Sequence, residues 1–452
     1  EITIPGVCGS MSGGADTFRY NFTYRDCAAS LAEIMMSINR LDACLFIPTC
    51  DNVVPAYLIA AARVNIPSVF LTGGYMKPGC HCGRVITAFD LPKIISGNAA
   101  EHKLSQQEID RIIASACPTT GGCPEIGTAN TMAAMTEALG MSLPGNATTA
   151  NYEAEIARMA KTAGEMVLQA YRSNIRPRDV ITKAGLEDAA KIVLAIGGSP
   201  NVLLHILALA DEADTGMTLD DWDRLSRVTP LLCRIKPNHP QNTFVDFAAA
   251  GGVYKLMDTM SCMLNLDRRM VTGRTLGEML QGWRALNIPC EDNGVIAALD
   301  NPVSPNGGIR VLYGNLATEG CIIKTSAIAK QVDCFEAAAR VFNSEVDAAR
   351  ALFGGEIKGK TVLVVRYEGP KGAPGARELM MLMHAIVGMG RIEDVAVVTD
   401  GRFSGTNLGV AVGHVCPEAP NGGPIALVED GDTVVIDIEN RELNLLVDEK
   451  TM

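Results

Sequence analysis

The stretch ACLFIPTCDNVVPAYLIAAARVNIPSVFLTGG, residues 43–74, decides the fold. Residues 43–48 (ACLFIP) form a short apolar run that reads as a buried parallel strand. A polar turn follows at Thr49, Cys50, Asp51 and Asn52, and residues 55–64 then read as a helix with Pro55 near its first turn. Residues 68–71 are the next strand, closed by Thr72, Gly73 and Gly74. This is a β-α-β unit, and its turn puts Cys50 and Asp51 at the carboxyl end of the first strand, where open α/β sheets bind ligands. Upstream, residues 27–39 (CAASLAEIMMSIN) have helical periodicity.

The composition agrees with an α/β enzyme. Apolar residues make up 48% of 452 and charged residues only 20%, which suits a large packed core in two or three domains. The balance of 39 basic against 51 acidic residues leaves −12, which argues against partners such as nucleic acid or an anionic membrane surface. No run of 18 apolar residues predicts a membrane span, and no signal peptide is visible. The chain opens at Glu1 in a strand-like segment without an initiator Met, so further N-terminal residues are expected upstream. Fourteen cysteines at uneven spacing in a chain of this length do not read as a disulfide scaffold. They point to a reducing compartment, cytoplasmic or an organelle matrix, with most thiols in the core and some available to a metal.

Further loops have the same character. CPTTGGC (117–123) leads into a helix expected over 128–139, where glycines allow close backbone approach and a helix N-terminus offers free N–H groups. Residues 150–227 read as mainly helical, and AIGGSPN (195–201) precedes an apolar helix containing His205. Composition shifts at DNPVSPNGG (300–308), after which the chain becomes strand-rich, at 309–313, 321–324, 361–367, 395–399 and 433–438. The expected domains are therefore 1–305 and 306–452. In the second, strand 361–367 runs into the Gly-rich loop EGPKGAPG (368–375), a helix expected over 376–387, strand 395–399 and a second loop, DGRFSGT (400–406). A right-handed crossover sends both loops off one sheet edge. Glu378, expected in the first helical turn, then faces a common pocket with Ser404. Neither residue is diagnostic alone: Glu378 also suits a helix N-terminus and Ser404 a turn. The first loop lacks phosphate-loop spacing, and no G-x-S-x-G elbow is present.

Taken together, these segments resemble the dihydroxy-acid dehydratase/phosphogluconate dehydratase (sugar-acid dehydratase) family. The resemblance is carried by TCDNxxPA (49–56), ACPTxGxCxxxxTANTM (116–132), LPGN (143–146), GNLAxxG (314–320), RYEGPKGAPG (366–375), TDGRFSGT (399–406), GHVxPEA (413–419) and GGPIALVEDGD (422–432). It implies an α/β chain with an N-terminal α/β/α domain built on a parallel sheet and a strand-rich, β-barrel-like, swivelling C-terminal domain. It also implies a hydro-lyase that turns a 2,3-dihydroxy carboxylic acid into a 2-keto acid, as a homodimer or homotetramer. Cys50 and Cys123 match two of three cysteines that hold an iron–sulfur cluster, [2Fe-2S] rather than [4Fe-4S], the first ligand being expected upstream of residue 1. Asp51 and Glu378 match ligands of a Mg²⁺ ion, and hard oxygen donors suit that ion. Ser404 matches the base that takes the C2 proton.

Two positions depart from the family pattern. The family has a carbamylated lysine where this chain has Asn52, and an acidic ligand where alignment on Arg19 and Tyr20 puts Gly9, within Cys8-Gly9-Ser10. The second-domain motifs favour a branched-chain substrate and the biosynthesis of branched-chain amino acids, whereas residues 127–147 lean toward sugar acids. A non-catalytic paralogue that keeps the fold is the alternative of a different class. Cys80-His81-Cys82 has no second pair at zinc spacing. His205 and His414 read as core or supporting residues, and Met380, Met381 and Met383 as core.

Overall fold

In the computed structural model, Cys44–Phe46 (β1) and Ser68–Phe70 (β2) pair in parallel with Cys44 opposite Ser68 and Phe46 opposite Phe70. The helix Val53–Val64 crosses between them and buries ten of its twelve residues. Pro55 is tolerated because the first turn of a helix has no internal acceptor for its missing N–H. Asn65 ends the helix in the left-handed region, its N–H returned to the Ala61 carbonyl. The structure describes residues 1–9, 16–101, 103–328, 332–373 and 375–447, so Ser10 and Pro374 lie outside the described residues.

The chain divides into two units. The first comprises Glu1–Cys8, Tyr24–Gly79 and Cys117–Gly308, and the second Gly9–Thr23, Cys80–Ala116 and Ile309–Met452. In the first, helices dominate. Thr128–Leu139 and Lys183–Ile196 are buried over most of their length. The parallel pair is extended at one edge by a bridge from Phe70 to Ser142. The helix Lys183–Ile196 starts where the Thr182 hydroxyl accepts the Gly185 N–H. It carries Asp188, a fully buried carboxylate paired with Arg268 and Lys191.

Between residues 79 and 86, Gly79–His81 (β3) and Arg84–Ile86 (β4) make a two-stranded sheet that leaves Cys80 and Cys82 exposed. The second unit is built on eight strands: Arg310–Gly314 (β5), Ala317–Ile323 (β6), Cys334–Phe342 (β7), Thr361–Val365 (β8), Val395–Thr399 (β9), Ala411–Cys416 (β10), Thr433–Asp437 (β11) and Glu442–Leu445 (β12). They close into a barrel in the order β10-β6-β5-β12-β11-β7-β8-β9. Strands β7, β8, β9 and β10 run parallel. Alternation along β8 and β9 explains their unbroken apolar runs. Val362, Val364, Ala396 and Val398 fill the barrel, while Leu363, Val365, Val395 and Val397 pack on the helices Glu345–Phe353 and Met380–Gly388.

The strand-like opening expected at residues 2–5 is irregular; the other expected elements are present, most with shifted ends, and β3, β4, β7, β10 and β12 are additions. One shift matters for the site. The helix expected over 376–387 begins only at Met380, so Glu378 does not lie in a first helical turn. It sits instead in an extended bridge parallel to Arg402. The backbone N–H of Leu379 goes to the Arg402 carbonyl and that of Arg402 to the Arg377 carbonyl, which removes residues 377–379 from the helical ladder.

Candidate active site

In the first unit, Cys50 lies between β1 and the helix Val53–Val64, with φ at 80°, a left-handed conformation uncommon for a residue with a side chain. Its thiol donates to Asp51 Oδ1 at 3.0 Å and has the Cys8 thiol beside it. That Cys8 contact, then burial and the Asp51 charge, hold the Cys50 thiol far above the ordinary thiol range. Cys123 arrives from the other side. The Gly122 N–H donates to the Gly74 carbonyl at 2.8 Å and the Met76 N–H to the Gly122 carbonyl at 2.7 Å, lacing the 117–123 loop to the segment after β2. Gly121 makes this possible, since at its φ of 124° a Cβ would stand 2.6 Å from the backbone of Tyr75 and Met76. Asn130, on the following helix, donates to the carbonyls of Cys123 and Glu125 and so fixes the loop on its helix. A small cleft is lined by Thr49, Cys50, Thr72, Gly74, Gly122 and Asn130. Burial raises the Cys123 thiol, with Cys8, Glu125 and Asp51 adding to it.

These residues fit a thiolate-held iron–sulfur group. Cys50 and Cys123 are not in disulfides, and soft thiolates are the donors such clusters take. Among the described residues no three His, Cys, Asp or Glu side chains converge on a single-ion site. Asp51 is the hard oxygen donor of this half. Asn52, 1% exposed, offers a neutral amide there.

The second unit holds the other candidates. Ser404 and Glu378 are both 5% exposed. The Ser404 hydroxyl lies 2.9 Å from Thr406 Oγ1 and accepts the Thr406 N–H at 3.3 Å. Glu378 pairs through Oε2 with Arg402 Nη1, and Arg402 Nε donates to the Ala376 carbonyl at 2.8 Å. The guanidinium also stacks over the Phe22 ring, with its carbon 5.3 Å from the centroid. Gly9 belongs to this unit as well, and a Cβ on it would stand 1.8 Å from Asn21 Nδ2, so a carboxylate-bearing residue does not fit without displacing that amide.

Buried carboxylates hold the two Gly-rich loops. Asp400 accepts the N–H groups of Tyr367, Glu368 and Ala419. Glu418 accepts those of Lys371 and Gly372. Glu368 accepts the Glu345 N–H at 2.7 Å, and burial pushes its carboxyl up to about 7. Glu345 in turn pairs with Arg377 at 2.9 Å and caps Leu382 N–H at 3.1 Å. His414 follows Gly413 on β10 with φ at 55°. Burial and the neighbouring Arg402 charge lower its imidazole to about 3, so it is neutral at physiological pH. Arg402, Asp400, Glu418, Glu345 and Thr406 were not singled out from sequence. For all but Glu345 the available signal was their place inside the quoted motifs; Glu345 lies in none of them.

The family model described as Dihydroxy-acid/6-phosphogluconate dehydratase N-terminal matches residues 1–279, and its C-terminal counterpart matches residues 294–452. The chain is 42% identical over 449 residues to a protein of Methanothrix thermoacetophila named dihydroxy-acid dehydratase, covering 99% of this chain and 80% of that one. It is 43% identical over 457 residues to the Nitratidesulfovibrio vulgaris protein of that name, again 99% of this chain and 80% of the other. A Pyrococcus furiosus protein of the same name is 40% identical over 454 residues, 100% of this chain and 81% of its own length. With both family domains matched and similarity spanning its length, the chain belongs to the dihydroxy-acid/6-phosphogluconate dehydratase family.

Proposed function

We propose that this chain is a hydro-lyase that removes water from a 2,3-dihydroxy carboxylic acid to give a 2-keto acid, as the dihydroxy-acid dehydratase of branched-chain amino-acid biosynthesis. The observation that carries the reading is its similarity, at 40–43% identity over 98–100% of its length, to proteins named dihydroxy-acid dehydratase.

The roles follow from the chemistry of each side chain. Ser404 takes the C2 proton as an alkoxide, with Thr406 fixing its oxygen. A hydroxyl pair does not itself make a serine basic, so the alkoxide needs nearby positive charge. Cys50 and Cys123 are the thiolates for an iron–sulfur cluster, and Asp51 and Glu378 the carboxylates for Mg²⁺. When bound, these groups supply Lewis acidity for the departing 3-hydroxyl and polarise the carbon that loses the proton. Arg402 orients Glu378, and the enol formed on loss of water tautomerises to the keto acid. We further propose a cytoplasmic homodimer or homotetramer. Among the described residues no helix is long and apolar enough to cross a membrane.

The test is keto-acid formation by anaerobically purified protein supplied with iron, sulfide and Mg²⁺, using 2,3-dihydroxyisovalerate and 6-phosphogluconate side by side. Turnover of the first and not the second is expected. Turnover of the phosphogluconate alone would redirect the reading to a sugar-acid dehydratase. Product from neither, under conditions that activate a control dehydratase, would leave a non-catalytic paralogue.

A further inference from the structure

We infer that Lys324 is a positioning residue for the proposed base, acting through one peptide group to hold Ser404 Oγ and to stabilise the negative charge on it. The inference rests on the reading of Ser404 above and deepens it.

The barrel brings the lysine to the loop, both within the second unit. β10 lies between β9 and β6, and it runs antiparallel to β6 with Val412 opposite Ile323. Lys324 is the residue after β6 ends, so it stands where the loop after β9 turns into β10. Two contacts fasten these segments. The Gly409 N–H donates to the Ala327 carbonyl at 3.1 Å, and Lys324 Nζ donates to the Gly405 carbonyl at 2.5 Å. Lys324 is only 6% exposed, although an ammonium group is costly to bury.

The acceptor links the lysine to the base. The Gly405 carbonyl and the Thr406 N–H belong to one peptide group, planar and trans, so they point in opposite directions. That N–H donates to Ser404 Oγ at 3.3 Å. Ammonium, peptide and hydroxyl therefore follow one another in a chain of hydrogen bonds. A cation on the carbonyl polarises the peptide and makes its N–H a stronger donor, and in a buried loop the effect is little screened. Negative charge on Ser404 Oγ is stabilised by that N–H, while Lys324 itself exchanges no proton. Arg402, the cation within the loop, is instead held by Glu378 and the Ala376 carbonyl.

The experiment compares wild type with Lys324→Met, Lys324→Gln and Lys324→Arg as reconstituted holoenzyme. For each, kcat and KM are read with the acid that wild type turns over, beside a thermal melt. Lys324→Met should lower kcat about 10–100-fold, less than loss of a direct oxyanion donor, with KM within about twofold. Lys324→Gln, which keeps a neutral donor for the carbonyl, should recover the melt but not kcat. Lys324→Arg, which keeps the charge, should recover most of kcat. With substrate deuterated at C2, the isotope effect on kcat should be at least as large in Lys324→Met as in wild type, because the slowed step is proton transfer to Ser404. Wild-type kcat in Lys324→Met, full recovery by Lys324→Gln, or a smaller isotope effect overturns the inference and leaves the Ser404 reading standing. If Lys324→Met does not fold, the other two variants decide, and equal kcat in Lys324→Gln and Lys324→Arg overturns it. Wild type that makes no keto acid, or a Ser404→Ala enzyme with wild-type kcat, instead removes the reading on which the inference stands.

Discussion

Ser404 has a hydroxyl and a backbone N–H for company, both from Thr406, and this separates its chemistry from its contribution to folding. Ser404→Ala removes one buried oxygen whose partner can turn elsewhere, so stability should change by about 1 kcal/mol or less. Loss of the proton acceptor should lower kcat by about 10²–10⁴-fold, with KM nearly unchanged. Thr406→Val keeps the base but frees its orientation, and a loss of about 10–100-fold is expected. Steady-state keto-acid formation beside a thermal melt checks both. A Ser404→Ala enzyme with wild-type kcat would remove serine from the mechanism.

Among the elements, the bridge between Glu378 and Arg402 is the most consequential. The ion pair is nearly inaccessible, its side chains 1% and 6% exposed. Arg402→Met leaves a buried carboxylate without its cation, and a loss of about 3–5 kcal/mol is expected from urea unfolding. Loss of less than about 1 kcal/mol would mean that Glu378 is held by other groups. The helix Thr128–Leu139 carries a second buried acid. Glu137 accepts the N–H groups of Gly145 and Ala147 at 2.9 and 2.6 Å, and burial raises its carboxyl from 4.5 to about 7. A raised acid favours the folded state fully below the unfolded pKa near 4.5, and this contribution is lost as pH climbs through 7. Wild type should therefore lose on the order of 3 kcal/mol relative to Glu137→Gln between pH 4.5 and 8. Parallel pH profiles for the two proteins in urea titrations would contradict this.

On the scale of the molecule, the barrel and the helical unit are stabilised in different ways. Closure through the β9–β10 pair leaves the eight-stranded sheet with no open edge for another chain to extend. The same closure makes the barrel interior one continuous core, with Leu443 fully buried in it. Leu443→Ala should cost about 2–5 kcal/mol, read as faster hydrogen exchange in peptides covering β5 and β11. A change confined to β12 would show that the core does not act as one body. The first unit has only a short parallel pair and relies on packed helices, with the buried Asp188 carboxylate paired to Arg268 and Lys191.

Much of this was legible in the sequence because it is local. The apolar run before Thr49, the turn glycines and the helix from Thr128 to Leu139 depend on residues within a few positions of one another, and the ordered motifs singled out Cys50, Asp51, Cys123, Glu378 and Ser404 as candidates. What only the tertiary structure decided depends on groups far apart along the chain. Glu378 leaves its helix because a backbone 24 residues away offers it a bridge, and that pairing outweighs local helix propensity. Asp400 holds a turn 33 residues before it and another 19 after it. Residues 80–116 join the barrel's unit across a gap of nearly two hundred positions. Periodicity reports which face of an element is buried; it carries no information on which distant loop supplies the partner.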